Sequence, residues 1–386
     1  MCNNLSERLQ NEVTRYANSI DKEALVRFLA GLYDKKSGGF YYSNSARDNE
    51  QFQPDIESTA QAITILTSFG LFNYSEAGSE RLPLWFRDGL VRFFRERQDP
   101  ETGFFYDKQF GKNVNESKKG RNTGQATGRL KEMGFAPLYP LPAARVESTN
   151  DTTVLAEHYA SLEKFDAWLR GMDWYSDEDF KSYYFGNMLA ASKMSIESAG
   201  FLEYTRDFLD EIQNKETGLW GKGLSSDSMN AAMKISHLYD DKHKYPNVEK
   251  MINSIADIVE KEVPYSISTL WNPLVLVQNI LRSYGDIPAE LEELINEKKL
   301  PLIQTCIDRM EIFKKPDGGY SYNPDISSST SQGAVVSLGL AEGDVNATLL
   351  GTASMLSSIS YVAAKKREPL ILKDYNNLFF ELIGKI

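Results

Sequence analysis

Four stretches of this chain repeat one pattern: DKKSGGFY from Asp34, QDPETGFF from Gln98, QNKETGLW from Gln213 and KPDGGYSY from Lys315. Each is a polar turn, then glycine, then an aromatic, and each follows an amphipathic helical pattern. The glycines at 39, 103, 218 and 319 are separated by 64, 115 and 101 residues. The last two intervals are about twice a unit of roughly 50–58 residues, so the pattern implies about six units in 386 residues. A repeat of this period constrains the fold more than any single residue, because each unit must bury its apolar face on the next.

Helical periodicity dominates the segments around these turns. Residues 21–33, 84–97, 198–213, 247–262 and 291–313 carry apolar side chains at three- and four-residue spacing and charges on the other face. They read as outer helices with one wet side. Residues 55–70, 226–240, 266–284 and 344–363 are nearly free of charge and read as buried inner helices. The stretch from Thr59 to Leu71 aligns with Thr123 to Phe135, with Thr, Gln, Ala, Leu and Gly in register, which sets a further inner helix at 121–134. The third unit is read as 152–172 outer and 177–194 inner. Residues 135–151 and 321–343 are read as loops, 1–20 as an N-terminal helix and 372–386 as a closing helix. Outer helix, turn and inner helix in about six copies predict an all-α chain forming one (α/α)6 toroid over residues 1–386.

Net charge is −11 with a pI near 5.0, which argues against nucleic acid or an anionic membrane as a partner. Cys2 and Cys306 are the only cysteines, and His158, His237 and His243 form no paired ligand motif, so no metal and no cofactor are expected. No apolar run approaches 18 residues, and the N-terminus lacks a leader pattern; a cytoplasmic protein is expected. Oligomeric state is not legible.

The segments Phe94 to Phe105 and Phe208 to Trp220 resemble the Gln-Trp repeat of terpenoid cyclases and protein prenyltransferases: an aromatic and then Gln at the end of the outer helix, then Gly and an aromatic. The resemblance implies an α/α toroid in which Gln98 and Gln213 tie neighbouring hairpins. Six-hairpin glycosidases and polysaccharide lyases share this ring with other chemistry, so the fold leaves the activity open. Cyclases of that superfamily carry an Asp-X-Asp-Asp acid. Asp55-Ile-Glu57, Asn150-Asp151 and Asp344-Val-Asn346 match it in part, each without the second, activating Asp. The zinc set of prenyltransferases is not assembled, since Cys306 falls on an outer helix.

In a toroid the inner helix N-termini point into one funnel. Asp55, Asp227 and Asp344 fall there and suit helix caps. Glu57, Asn122, Asn230, Asn272 and Asn346 lie two or three places further on, where Asn is not a favoured helix residue. Such a ring of amides and carboxylates matches a polyhydroxylated ligand and tips the reading toward carbohydrate. Glycoside hydrolysis needs two carboxylates about 5–10 Å apart; Asp55, Glu57, Asp227 and Asp344 are the candidate catalytic acids, paired across units. A polysaccharide lyase acting on an anionic sugar would instead use Tyr106, Arg121 and Asn122. Asp151, Asn230, Trp271, Asn272 and Asn346 complete the candidate ligand-binding set. Residues 108–131 hold seven basic residues and one acid and are read as a basic loop feeding a helix N-terminus, a place for an anion. The expected function is an enzyme acting on an oligosaccharide, including an anionic one. An isoprenoid cyclase or transferase and a binding toroid without turnover are the alternatives.

Overall fold

The computed structural model describes residues 2–71, 82–149, 155–178, 180–284, 286–365 and 373–385. The described chain is mostly helical, with two short two-stranded pairs, Tyr33–Asp34 with Gly39–Phe40 and Thr330–Ser331 with Ala334–Val335. Buried apolar side chains from Leu9 to Ile383 form one connected cluster.

The helices fall into pairs. Unit one is Lys22–Gly31 followed by Ile56–Ser68; unit two, Leu84–Arg95 and Glu116–Glu132; unit three, Leu162–Arg170 and Lys181–Ala191. Unit four is Leu202–Ile212 and Ser226–Ile235, and unit five Val248–Lys261 and Ser268–Ser283. Unit six pairs Ala289–Arg309 with Val345–Leu349 and Met355–Ala364, joined by a π-helical turn over Leu350–Ser354. The second helix of each unit packs on the second helix of the next, and Val345–Leu349 packs back on Ile56–Ser68. Cys2–Ser19 lies against Met355–Ala364 and Ala289–Arg309, while Asn376–Lys385 packs on Lys22–Gly31. Val345–Ala364 is long and apolar enough to cross a membrane, but most of its surface is buried among these neighbours, as in the core helix of a globular fold.

The repeated turns explain this order. Gly38, Gly103, Gly218 and Gly318 all adopt positive φ, where a side chain is strained. Three of them also touch the next unit, which for Gly318 is unit one, and Gly103 touches Pro140 in the segment before unit three. A Cβ on Gly38 would sit 2.4 Å from the Gly89 carbonyl of unit two, and one on Gly218 would sit 2.7 Å from Met251 N of unit five. In unit six, a Cβ on Gly318 would sit 2.4 Å from the Ala24 carbonyl of unit one. The last turn therefore docks on the first outer helix as the earlier turns dock on their successors.

In three of the four turns the aromatic after the glycine pins the inner helix, while Trp220 Nε1 donates to Leu209 O of its outer helix. Phe40 N donates to Thr59 Oγ1 at 2.9 Å, Phe105 N to Thr123 Oγ1 at 3.1 Å and Tyr320 N to Thr348 Oγ1 at 2.9 Å. This is why Thr59 and Thr123 align in sequence. Gln98 donates to Gly103 O within its own turn and to Tyr139 O beyond it, and accepts from Tyr139 N. Gln213 does the same with Gly218 O, Pro246 O and Asn247 Nδ2. Both glutamines tie a turn to the following unit.

Three expectations are corrected, the first at 135–151, which is expected as loop and holds the helix Pro142–Thr149. The inner helix of unit two begins at Glu116, capped by Asn115, and not at 121; most of the expected basic loop is helix. Its charges are largely answered locally: Lys108 pairs with Glu96, Lys112 with Asp99 and Glu101, Lys119 with Glu116 and Arg129 with Glu132. The segment 321–343 carries the hairpin Thr330–Val335 and is not wholly irregular.

Gln213→Ala deletes three hydrogen bonds, two of them across a unit junction. At about 1 kcal/mol each, the expected loss is about 2–3 kcal/mol in urea unfolding. A loss below about 0.5 kcal/mol would show that Gln213 is not a tie.

Candidate functional site

The acids at the inner helix ends are mostly occupied by the backbone. Asp55 caps Ile56–Ser68, accepting from Ser58 N at 2.9 Å and Ser58 Oγ at 2.5 Å. Burial raises its pKa, against the pull of Lys118. Asp344 caps Val345–Leu349, accepting from Ala347 N at 2.7 Å and Tyr322 N at 2.9 Å, and burial pushes its carboxyl up to about 7. Asp227 accepts from the Ser182 hydroxyl and from Tyr183 N, tying unit four to the start of the unit three inner helix. Behind Asp55, Asp107 accepts from Ile56 N at 2.8 Å and Asn122 Nδ2 at 2.9 Å, with Arg97 3.6 Å away. Burial and the neighbouring Asp55 push it up to about 6.

Glu57 is different. It is buried at a junction of three elements and accepts from Lys118 Nζ at 3.3 Å, Arg121 Nε, Ser331 Oγ at 2.8 Å and Gln61 Nε2 at 3.3 Å. Burial alone would raise its pKa; the charges of Arg121 and Lys118 outweigh that and hold it at about 2. Lys118 is shared with the buried Asp55 and Asp107 as well, and Glu57 is the one of the three held firmly in its charged form.

Arg121 then faces a cavity of about 590 Å³ at the centre of the inner helices, a size suited to a small-molecule ligand. Tyr42, Gln61 and Asn346 line it where units one and six meet; Asn115, Arg121 and Gln125 come from unit two; and Tyr183, Tyr184 and Asn187 from unit three. Lys234 and His237 come from unit four, Trp271 and Asn272 from unit five. Among the described residues that line it there is no Asp or Glu.

Two amides on this wall are held in one orientation. Gln61 Nε2 donates to Glu57 and, at 2.8 Å, to Asn346 Oδ1, which leaves Gln61 Oε1 without a partner. Asn272 Nδ2 donates to Asn230 Oδ1 at 2.7 Å, and Asn230 Nδ2 to the Tyr265 hydroxyl at 3.1 Å, which leaves Asn272 Oδ1 without one. Trp271 Nε1 beside it is also unpartnered. Buried polar atoms are normally satisfied. All three atoms are closed off from solvent and mark polar side chains packed at the cavity wall without a protein partner among the described residues.

Lys234 makes no hydrogen bond and no ion pair among the described residues; its amine lies 5.8 Å from the Tyr183 ring centre. Burial, helped by the charge of Arg121 and opposed by that of Glu57, brings its pKa down to about 7. His237, one turn on, is partly open to solvent, and its enclosure by the protein with the charges of Lys234, Lys193 and Arg121 lowers its pKa. A cavity that keeps an amine near neutrality supplies a base or a nucleophile at physiological pH.

The hairpin roofs the cavity. Ser331 and Gln332 line it, and Gln332 is held at both ends: its carbonyl accepts from Asn115 Nδ2 at 2.8 Å and its side-chain oxygen from Asn187 Nδ2 at 2.6 Å. Gln332 and Gly333 both have positive φ, the tight two-residue turn that matches strand twist.

Of the sequence candidates, Arg121, Trp271, Asn272 and Asn346 meet in the cavity. Asn230 and Glu57 stand behind it and orient Asn272 and Gln61. Asn122 lies two turns into its helix and binds Asp107; Tyr106 lies beside Thr102 and Asp99, away from the cavity. Asp151 falls outside the described residues. The sequence reading passed over Lys234, His237, Tyr183 and Gln61 as site residues. Its available signal was a lone cation in the apolar stretch Met229 to Leu238. Comparison with protein-family models, curated proteins and solved structures found no match to this chain.

Glu57→Gln takes from Lys118 its hydrogen-bonded countercharge, leaving Asp55 and Asp107 as its acidic neighbours, and takes from Arg121 its ion-pair partner. Breaking such a pair costs about 3–5 kcal/mol, so a marked fall in Tm is expected. A Tm within about 1 °C of the parent, about 1 kcal/mol or less for a chain of this size, would mean Glu57 is not the keystone of this cluster.

Proposed function

We propose that the six helix pairs form an (α/α)6 toroid whose central cavity binds an acidic carbohydrate and cleaves it by β-elimination. The observation that carries this reading is the cavity wall itself: Arg121 and Lys234 with amides and tyrosines, and no carboxylate among the described residues that line it. The closure of inner helix six on inner helix one and the docking of Gly318 on Ala24 support the ring. Hydrolysis through a carboxylate pair finds no acid on this wall. A carbocation cavity would lack the unpartnered amide oxygens.

In this reading Arg121 neutralises the carboxylate of a uronate, which acidifies the hydrogen on the adjacent carbon. The Lys234 amine removes that proton, the electron pair forms a carbon–carbon double bond, and the glycosidic C–O bond breaks. The ammonium so formed returns its proton to the departing oxygen. Gln61, Asn272 and Trp271 hold sugar hydroxyls, and Ser331 and Gln332 close the roof.

The test is ultraviolet absorbance of the unsaturated uronate on incubation with acidic oligosaccharides. A base with a pKa near 7 is active when deprotonated, so kcat/KM rises with pH through about 7. Lys234→Met lowers the rate by about 10²–10⁴-fold, the usual contribution of a general base, with binding retained. Release of reducing ends without unsaturation would replace elimination by hydrolysis. Binding without any product would leave the cavity a receptor.

A further inference from the structure

The cavity does not end at Arg121. A second space of about 440 Å³ adjoins it, and five residues line both: Arg121, Gln125, Asn187, Lys234 and His237. Its far end is bounded by Lys193 and Glu197, whose side chains are 37% and 49% exposed, so it reaches the surface beside the unit three helices.

One wall of this second space is kept bare. Gly120 and Gly124 lie one turn apart on the same face of Glu116–Glu132. Gly120 has a packing reason: a Cβ there would come within 2.0 Å of the Ala191 carbonyl. Gly124 has none, since no atom lies within 4 Å of where its Cβ would be. Glycine in a helix interior is destabilising relative to alanine, and at Gly124 the space it leaves belongs to the second chamber.

We propose that the two chambers form one continuous binding channel, in which the acidic sugar unit sits at Arg121 and Lys234 and the neighbouring units of the same oligosaccharide run past Gly124 toward Lys193. This deepens the acidic-carbohydrate reading and rests on it. Arg121 and Lys234 stand at the junction, so the charged unit lies inside the chain of sugars and not at its end. The ligand is then an oligomer, and Gly124 is a specificity position.

Isothermal titration with galacturonate and with trigalacturonate tests this. The parent protein binds the trimer at least tenfold more tightly than the monomer. Gly124→Leu fills the second chamber and abolishes that preference while leaving monomer affinity within twofold; Gly124→Ala, which meets no neighbour, reduces the preference by less. Equal affinity of the parent for both ligands, or a trimer preference unchanged in Gly124→Leu with its melting temperature intact, overturns the channel while the acidic-sugar site stands. Failure of either ligand to bind the parent removes the underlying reading, and the channel with it.

Discussion

The absence of a side chain at four glycines lets each Gly-aromatic turn lie on backbone beyond its own unit. Gly38 on Gly89, Gly103 on Pro140, Gly218 on the start of Val248–Lys261 and Gly318 on Ala24 are four uses of one contact. Any larger residue would clash with backbone atoms, which have no rotamer to change. The following aromatic N–H then fixes the inner helix through Thr59, Thr123 or Thr348. Turn, outer helix and inner helix are thereby set together, and the direction of each inner helix follows from them.

That placement has an electrostatic consequence. The buried acids at the inner helix ends are consumed by caps and junctions: Asp55 and Asp344 by backbone N–H groups, Asp227 by unit three, Asp107 by Arg97 and Asn122. Glu57 is taken up by ion pairs with Lys118 and Arg121. An acidic chain thus holds a cavity with a basic wall, because its negative charge lies on the surface or in structural pairs while Arg121 and Lys234 face inward.

The repeat was legible in the sequence because its constraint is local: a turn needing positive φ, an aromatic and a terminal Gln at fixed offsets. The apolar inner helices follow from that spacing and the ties of Gln98 and Gln213 from the likeness to the Gln-Trp repeat, while the start of the unit two inner helix did not. The site was legible in part. Arg121, Trp271, Asn272 and Asn346 were accessible through their positions near inner helix ends. Lys234 was not, because its significance lies in its amine having no hydrogen bond or ion pair among the described residues, which is a property of the fold and not of the chain near Lys234. The acids drew attention by type, yet a helix cap and a catalytic acid share the same residue and the same offset. The roof over the cavity was hidden in a Ser- and Gly-rich stretch whose single cue was Gln332-Gly333.

The central claim, that the inward-facing cations recognise an acidic sugar, is tested most directly by crystals soaked in parallel with an acidic oligosaccharide and with pyrophosphate. The account predicts ordered sugar in the cavity, its carboxylate against Arg121 and its hydroxyls against Gln61, Asn272 and Trp271. Pyrophosphate ordered there with no sugar, or sugar ordered outside the cavity, would contradict it.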